Sequence, residues 1–219
     1  VTQVTTGSAG NLGVLGSVFD TETETVDINV NAGATPSSSP ESMSPSGAYA
    51  FLGAGVQEGG QGNNSIPAPT NYFGGTLGEF IAYDRALNTP QRRIVANYLA
   101  AKFGLRALNN DYYAGDTKAG FDQNVIGIGS EGGSSHNRAE TDGLTLSASS
   151  LASNPDYVMI GSEAVTPGTN DQNYEGTAGV GGELQVRPDN IQFLSVTGAP
   201  EFTLTYDLSE IGLSGEAGE

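Results

Sequence analysis

One stretch of this chain, residues 89–103, repeats its apolar residues at helical spacing, inside a sequence that otherwise alternates and turns. Ile94, Val95, Tyr98, Leu99 and Phe103 form a stripe along one helical face. Thr89 offers an N-cap hydroxyl, and Pro90 fits the first turn, where its missing N–H costs nothing. Lys102 puts a cation at the negative end of the helix dipole. Gly104 is the natural residue to leave the helix in a left-handed conformation.

The rest of the chain reads as strands. Of 219 residues, 32 are Gly, about twice the usual share. With 37% hydrophobic residues, a real core is within reach. Val14 to Phe19 is an apolar run. Across the turn Asp20–Thr21, the stretch Thr21 to Val30 alternates, with Val26, Ile28 and Val30 on one face. Residues 34–47 are rich in Ser and Pro and read as a loop. Tyr49 to Val56 reads as a strand, 57–71 as a Gly/Asn/Pro loop, and Phe73 to Tyr83 as a further strand interrupted by Gly74, Gly75 and Gly78. After the helix, strands are expected over Val125 to Gly129, Leu144 to Ala148, Tyr157 to Ile160, Leu184 to Val186, Ile191 to Val196 and Phe202 to Leu208. Turn signals separate them at Gly132-Gly133, Asp142-Gly143, Asn154-Pro155, Pro167-Gly168 and Gly198-Ala199-Pro200. The expected domains are 1–106, ending in the helix, and 107–219, an antiparallel sandwich-like unit.

Charge excludes some partners. Eight Lys+Arg face 25 Asp+Glu, for a net charge of −17. Such a surface repels nucleic acid and anionic lipid, which both need a basic footprint. Five of the eight basic residues fall between Arg85 and Arg106. They balance surface charge around the helix or form a docking face for an acidic neighbouring copy. No cysteine is present, which excludes a disulfide framework, a thiolate metal site and a Cys nucleophile. No apolar run approaches the ~18–20 residues of a membrane helix. The opening at Val1 and the Gly/Ser/Glu run to Glu219 lead us to expect a piece of a longer polypeptide.

Two segments carry a resemblance. Residues 73–87, FGGTLGEFIAYDRAL, resemble the closing strand of bacterial LamG-like, concanavalin A-type jelly-roll domains, roughly F-x-G-x-I-x-E-(I/F)-I-x-Y-x-R-x-L. The helix end YLAAKFG, residues 98–104, resembles the capping helix that follows it. The remainder resembles the uncharacterised β domain that often follows this jelly roll in large bacterial surface proteins. Its matching features are NVIGIG at 124–129, DGLTL at 142–146, VMIG at 158–161, VTG at 196–198 and FTLTYDLS at 202–209. The resemblance implies a mainly β protein: a partial jelly-roll β-sandwich with one capping helix, then a second antiparallel sandwich. It implies a bacterial extracellular or cell-surface location. Only about 85 residues precede the helix, too few for a complete two-sheet jelly roll. The expected consequence is that missing sequence or a neighbouring chain completes it, since a half-sandwich exposes an apolar face and open strand edges.

Candidate chemistry is sparse. Glu22 and Glu24 share a strand face and sit about 7 Å apart by strand geometry. The jelly-roll glucanases that resemble this fold use three alternating acids, and here the third position is Val26. His136, the only histidine, lies in the polar stretch 134–138 without a nucleophile elbow. No catalytic residue is expected. Calcium, which takes six to eight oxygens, is the better-matched cofactor. One cluster is Asn109, Asn110, Asp111, Asp116 and Asp122. The other is Asn170, Asp171, Asn173 and Glu175. Neither has EF-hand spacing, and Asx residues also simply favour turns. Tyr112, Tyr113 and Tyr174 sit in polar stretches, where aromatic faces stack on sugars or else pack into a core or edge. The expected function is therefore a non-catalytic module for adhesion or glycan binding. The alternatives are a structural subunit of a filament, sheath or surface layer with neighbour-completed sheets and, less favoured by the missing acids, a polysaccharide-active enzyme. The expected partner is a glycan or a neighbouring surface protein, including copies of the chain itself.

Overall fold

A computed structural model describes residues 13–20, 25–30, 33–35, 52–56, 69–70, 72–105, 108–117, 120–141, 143–163 and 192–206. The protein is mainly β, with antiparallel sheets and, among the described residues, one α-helix. Strands β1 (Leu15–Asp20), β2 (Thr25–Val30) and β3 (Gly33–Thr35) form a meander in which Val26, Ile28 and Val30 stand opposite Phe19, Ser17 and Leu15. Strands β4 (Gly55–Val56) and β5 (Pro69–Thr70) make a short ladder. Of the strand expected over Tyr49 to Val56, Leu52 to Ala54 lie outside any ladder.

The helix α1 spans Thr89–Phe103. Its N-cap is Asn88, one residue before the threonine expected in that role. The Asn88 side chain accepts from Gln91 N at 3.0 Å, and Gln91 Oε1 accepts from Asn88 N at 3.1 Å, a reciprocal capping box. An amide at this position satisfies one orphan N–H and leaves Thr89 inside the first turn. Gly104 ends the helix at φ 64°, as its lack of a Cβ allows. The buried face is not the large apolar stripe. It is Pro90, Ala96, Asn97, Ala100 and Ala101, with Ile94 and Tyr98 partly buried beside them. Small residues let the helix axis approach a sheet closely, while Val95, Leu99 and Phe103 are only half-covered.

That sheet is the order β11–β10–β6–β7, built from β6 (Gln123–Glu131), β7 (Ser134–His136), β10 (Asp156–Ser162) and β11 (Gln192–Thr197). Against its other face lies the order β12–β9–β8, from β8 (Arg138–Thr141), β9 (Leu144–Ser150) and β12 (Glu201–Tyr206). Strands β7 and β8 are additions to the expected set, because their polar residues give no alternation to read. Every residue of β10 is buried. Period two sends Val158 and Ile160 to one side, where Ile128, Leu144 and Leu146 complete an aliphatic core between the sheets. Tyr157 and Met159 point to the other side, toward α1. The helix that closes the first expected domain thus packs on the sheet of the second.

Residues 73–83, expected as a strand, form no ladder. A strand is stable only beside another strand, and among the described residues none lies alongside. The segment is instead held at its edge. Phe73 N donates to Gly53 O at 2.8 Å. Glu79 pairs with Lys102 Nζ at 3.0 Å, and a Cβ at Gly78 would sit 3.0 Å from the Phe103 ring. The strand expected at Leu184 to Val186 lies outside the described residues, as do Leu208 and the turn residues Asp142, Pro167 and Gly168.

Candidate functional site

The first candidate cluster lies where α1, the connection 108–122 and the sheet meet. Its organiser is Asn97, a buried amide in mid-helix. Nδ2 donates to Arg93 O at 2.8 Å and to Asn110 O at 3.0 Å. Oδ1 accepts from Tyr112 N at 2.7 Å and from Tyr113 N at 3.0 Å. One side chain thereby satisfies three backbone groups of a connection that cannot join a ladder, as buried polar groups require.

The two tyrosines are then directed into the protein. Tyr113 is 1% exposed. Its hydroxyl donates to Phe121 O at 2.7 Å, and its ring meets Phe193 edge-on at 6.2 Å. A side chain at Gly161 would collide with this hydroxyl, so the glycine makes the cavity. Tyr112 stacks on Tyr157 at 4.0 Å and 14°. The ring faces that a sugar would need are thus enclosed for Tyr113 and half-occupied for Tyr112. Ala114 N donates to Ser195 Oγ at 2.9 Å, which fastens the short 3₁₀ turn Ala114–Thr117 to β11.

Beside the tyrosines is an ion pair. Arg93 Nε and Nη2 donate to the two Glu131 oxygens at 3.2 and 3.3 Å. Tyr157 OH donates to Glu131 Oε2 at 2.7 Å. With its amide turned so that oxygen faces Arg93, Asn110 accepts from Nη1 at 2.9 Å and donates to Asn109 O at 3.0 Å. Burial pushes Glu131 up, but the hydrogen bonds from Arg93 and Tyr157 outweigh it and hold the carboxylate below its ordinary range. Burial, then donation to Glu131, pushes the Tyr157 hydroxyl far up. One group is held ionised and the other protonated near neutrality. The arrangement pins the helix to the sheet.

Of the expected calcium ligands, Asn109, Asn110, Asp111, Asp116 and Asp122 lie on the connection between α1 and β6. Asn109 is exposed. Asp111 Oδ1 accepts from Tyr113 N at 3.3 Å. Asp111 is exposed as a residue, yet adjacent residues of the same chain partly enclose its carboxyl, and that burial raises it despite the hydrogen bond. Asp122 accepts from Gln123 Nε2 at 2.9 Å. Asp116 lies in the 3₁₀ turn. Among the described residues no group of three or more His, Asp or Glu side chains is placed to hold a metal ion. Tyr174, Asn170, Asp171, Asn173 and Glu175 lie outside the described residues, as do Glu22 and Glu24. His136 lies on β7 rather than in a loop. Its Nδ1 is 3.5 Å from Gln91 Nε2, and burial, then the Arg85 charge, lowers it.

The open feature is the ribbon Tyr72–Tyr83. Tyr72 is 73% exposed and Phe80 64%, and Phe73, Leu77, Ile81 and Tyr83 are exposed with them. Its closed side is the Glu79–Lys102–Tyr98 cluster, where Lys102 Nζ donates to Tyr98 OH at 2.9 Å. The segment is apolar and strand-like in sequence, and an exposed apolar face is what an incomplete half-sandwich implies. The organisers Asn97, Arg93, Glu131 and Tyr157 were missed. A mid-helix Asn, poor in helix propensity, was the available signal. Comparison with protein-family models, with curated proteins and with solved structures finds no match. No described helix is long and apolar enough to cross a membrane.

Proposed function

We propose that this chain is a non-catalytic module of a larger secreted or cell-surface bacterial protein, and that it adheres to its partner through the ribbon Tyr72–Tyr83. The observation that carries this reading is the run of exposed rings Tyr72, Phe73, Phe80 and Tyr83 beside Leu77 and Ile81. Contiguous exposed apolar surface of this kind marks interaction sites. Ring faces with a polar rim, here the exposed Asp84 and Arg85, fit a glycan. The LamG-like resemblance of residues 73–104 belongs to the same proposal, and so does calcium, as a stabilising ion for the half-enclosed Asp111. A glycan array tests the reading. Binding by the wild type, lost in the Phe80→Ser/Tyr83→Ser double variant, is expected. A variant that binds as the wild type does would remove the ribbon from the site. A melting temperature unchanged in excess chelator would remove calcium.

One observation favours the structural-subunit reading. In β11, Leu194 and Val196 stand opposite Ile160 and Val158, and directly opposed residues of an antiparallel pair share a face. Both therefore point to the inter-sheet side. They are nevertheless 40% and 48% exposed. Among the described residues the sheet β12–β9–β8 ends short of them, as it would if a neighbouring chain supplied the next strand.

A further inference from the structure

We propose that His136 and the capping box at the start of α1 form a proton-operated latch, in which the neutral imidazole fastens the root of the ribbon to β7 and the imidazolium releases it. The inference does not depend on what the ribbon binds.

The latch joins two elements far apart in sequence. Its root is Asn88, between the ribbon and the helix. Asn88 Nδ2 donates to Ser135 O at 3.0 Å, across to β7. Asn88 Oδ1 accepts from Gln91 N, and Asn88 N donates to Gln91 Oε1. With that oxygen engaged, the amide nitrogen of Gln91 is the group turned toward β7, and it stands 3.5 Å from His136 Nδ1. An amide NH₂ only donates, so Nδ1 accepts, and the ring is the neutral form protonated at Nε2. The pairing of β7 with β6, where His136 lies opposite Gly129, holds the half-buried ring at this place.

Protonation sets two demands against one oxygen. Nδ1 becomes a donor and meets a donor. Turning the Gln91 amide satisfies the ring, but takes Oε1 away from Asn88 N and opens the box. Burial of the ring, then the Arg85 charge on the lead-in to α1, opposes a cation here. The positive end of the α1 dipole opposes it too. Other charged groups on the surrounding elements are engaged. Glu131 of β6 holds Arg93 and Tyr157, Arg92 of α1 donates to Thr89, and Arg138 of β8 pairs with Glu140. Asp84 is exposed beside Arg85 in sequence. As pH falls, the unfolded chain therefore takes up this proton first, near the ordinary value of 6.5. The contribution of the latch is complete above that value and is lost as pH falls toward the folded one.

The chain has a single histidine, so one NMR titration of the whole protein follows the ring. In the wild type the midpoint is expected below 6.5. Amide protection at Asn88 is expected to fall about fivefold on protonation, the loss of one hydrogen bond. Gln91→Glu is the decisive variant. It keeps an acceptor for Asn88 N and offers a second carboxylate oxygen to the imidazolium, so the midpoint should rise above the ordinary value and Asn88 should stay protected in acid. His136→Asn keeps an acceptor on β7 and does not titrate, so Asn88 protection should be flat between about pH 5 and 7. A wild-type midpoint at or above the ordinary value, or one that Gln91→Glu leaves unmoved, would overturn the latch. Protection at Asn88 that falls equally in His136→Asn would assign the acid response to another group and overturn it as well.

Discussion

Strand β10 and the ribbon 72–83 are both short, apolar and glycine-containing, and they end in opposite surroundings. Every residue of β10 is buried, between an aliphatic core on one side and the helix with its tyrosines on the other. The ribbon exposes most of its large side chains. What separates them is neighbours. β10 has β6 and β11 on its flanks and an element over each face, so its backbone and both rows of side chains are accounted for. Among the described residues, the ribbon meets α1 along one edge and Gly53 at its start. Hydrophobicity therefore sets a demand for burial in both segments, and only topology decides whether the demand is met within the chain.

The largest predicted effect lies on the aliphatic side. Leu146 is fully buried between the sheets. Leu146→Ala removes its packing and leaves a cavity, for a loss of about 3 kcal/mol, read by urea denaturation. A loss below about 1 kcal/mol would mean that the sandwich core is loosely packed and that the contrast with the ribbon is overdrawn.

The polar side of the same sheet comes next. Asn97→Ala removes the side-chain partner of Asn110 O and Tyr112 N and leaves Tyr113 N to its longer bond with Asp111 Oδ1, for a cost of about 2 kcal/mol. Asn97→Asp is the sharper probe. It keeps an acceptor for both tyrosine N–H groups, loses the donor to Asn110 O, and brings a charge into a buried site. Both variants should also speed amide exchange at Tyr112 and Tyr113. Unchanged exchange there would remove Asn97 as the organiser of the junction.

A smaller effect is expected from Tyr157→Phe. It deletes the hydroxyl that donates to Glu131 and keeps the ring under Tyr112. Because Arg93 still holds the carboxylate, the cost is about 1 kcal/mol. The same ion pair fixes the sign of an acid response. Glu131 sits below its ordinary value of 4.5 when folded, so the unfolded chain takes up its proton first. Its contribution is complete above that value and is lost as pH falls through the folded value. Glu131→Gln should flatten this part of the acid limb in a stability profile, and an identical limb in the variant would refute the assignment.

The sandwich was legible from residues 123–206 because its signals are local. Alternation at 144–148 and a continuous apolar run at 157–160, with glycines at Gly132, Gly133, Gly143 and Gly198 where φ is positive, name strands and turns without tertiary knowledge. The helix was legible for the same reason, down to its left-handed exit at Gly104. Its buried face was not. Large residues mark a stripe on a helical wheel, but the sheet selected the alanines and Asn97, since close approach needs small side chains. Strands β7 and β8 escaped because Ser134 to Arg138 carry no apolar rhythm, and they are held by pairing with β6 and β9. The tyrosine pair was legible as noteworthy but not as interior. What turns Tyr112 and Tyr113 inward is an amide on a helix 15 and 16 residues away in sequence, and no local pattern records that.

The smallest effect is predicted where the apolar content seems to promise more. In dilute monomer, Ile81→Ser and Phe80→Ser should each change stability by less than about 0.5 kcal/mol, because neither side chain is buried within its own chain. The expected signature is unaltered urea midpoints below the concentration at which the chain associates. A buried isoleucine or phenylalanine would respond at every concentration. An Ile81→Ser loss near that of Leu146→Ala in dilute solution would show that the ribbon is covered by its own chain. The demand for burial would then be met internally, and the distinction between the ribbon and β10 would disappear. A midpoint that shifts only as concentration rises would place the missing cover on another molecule, since binding stabilises the folded state by mass action.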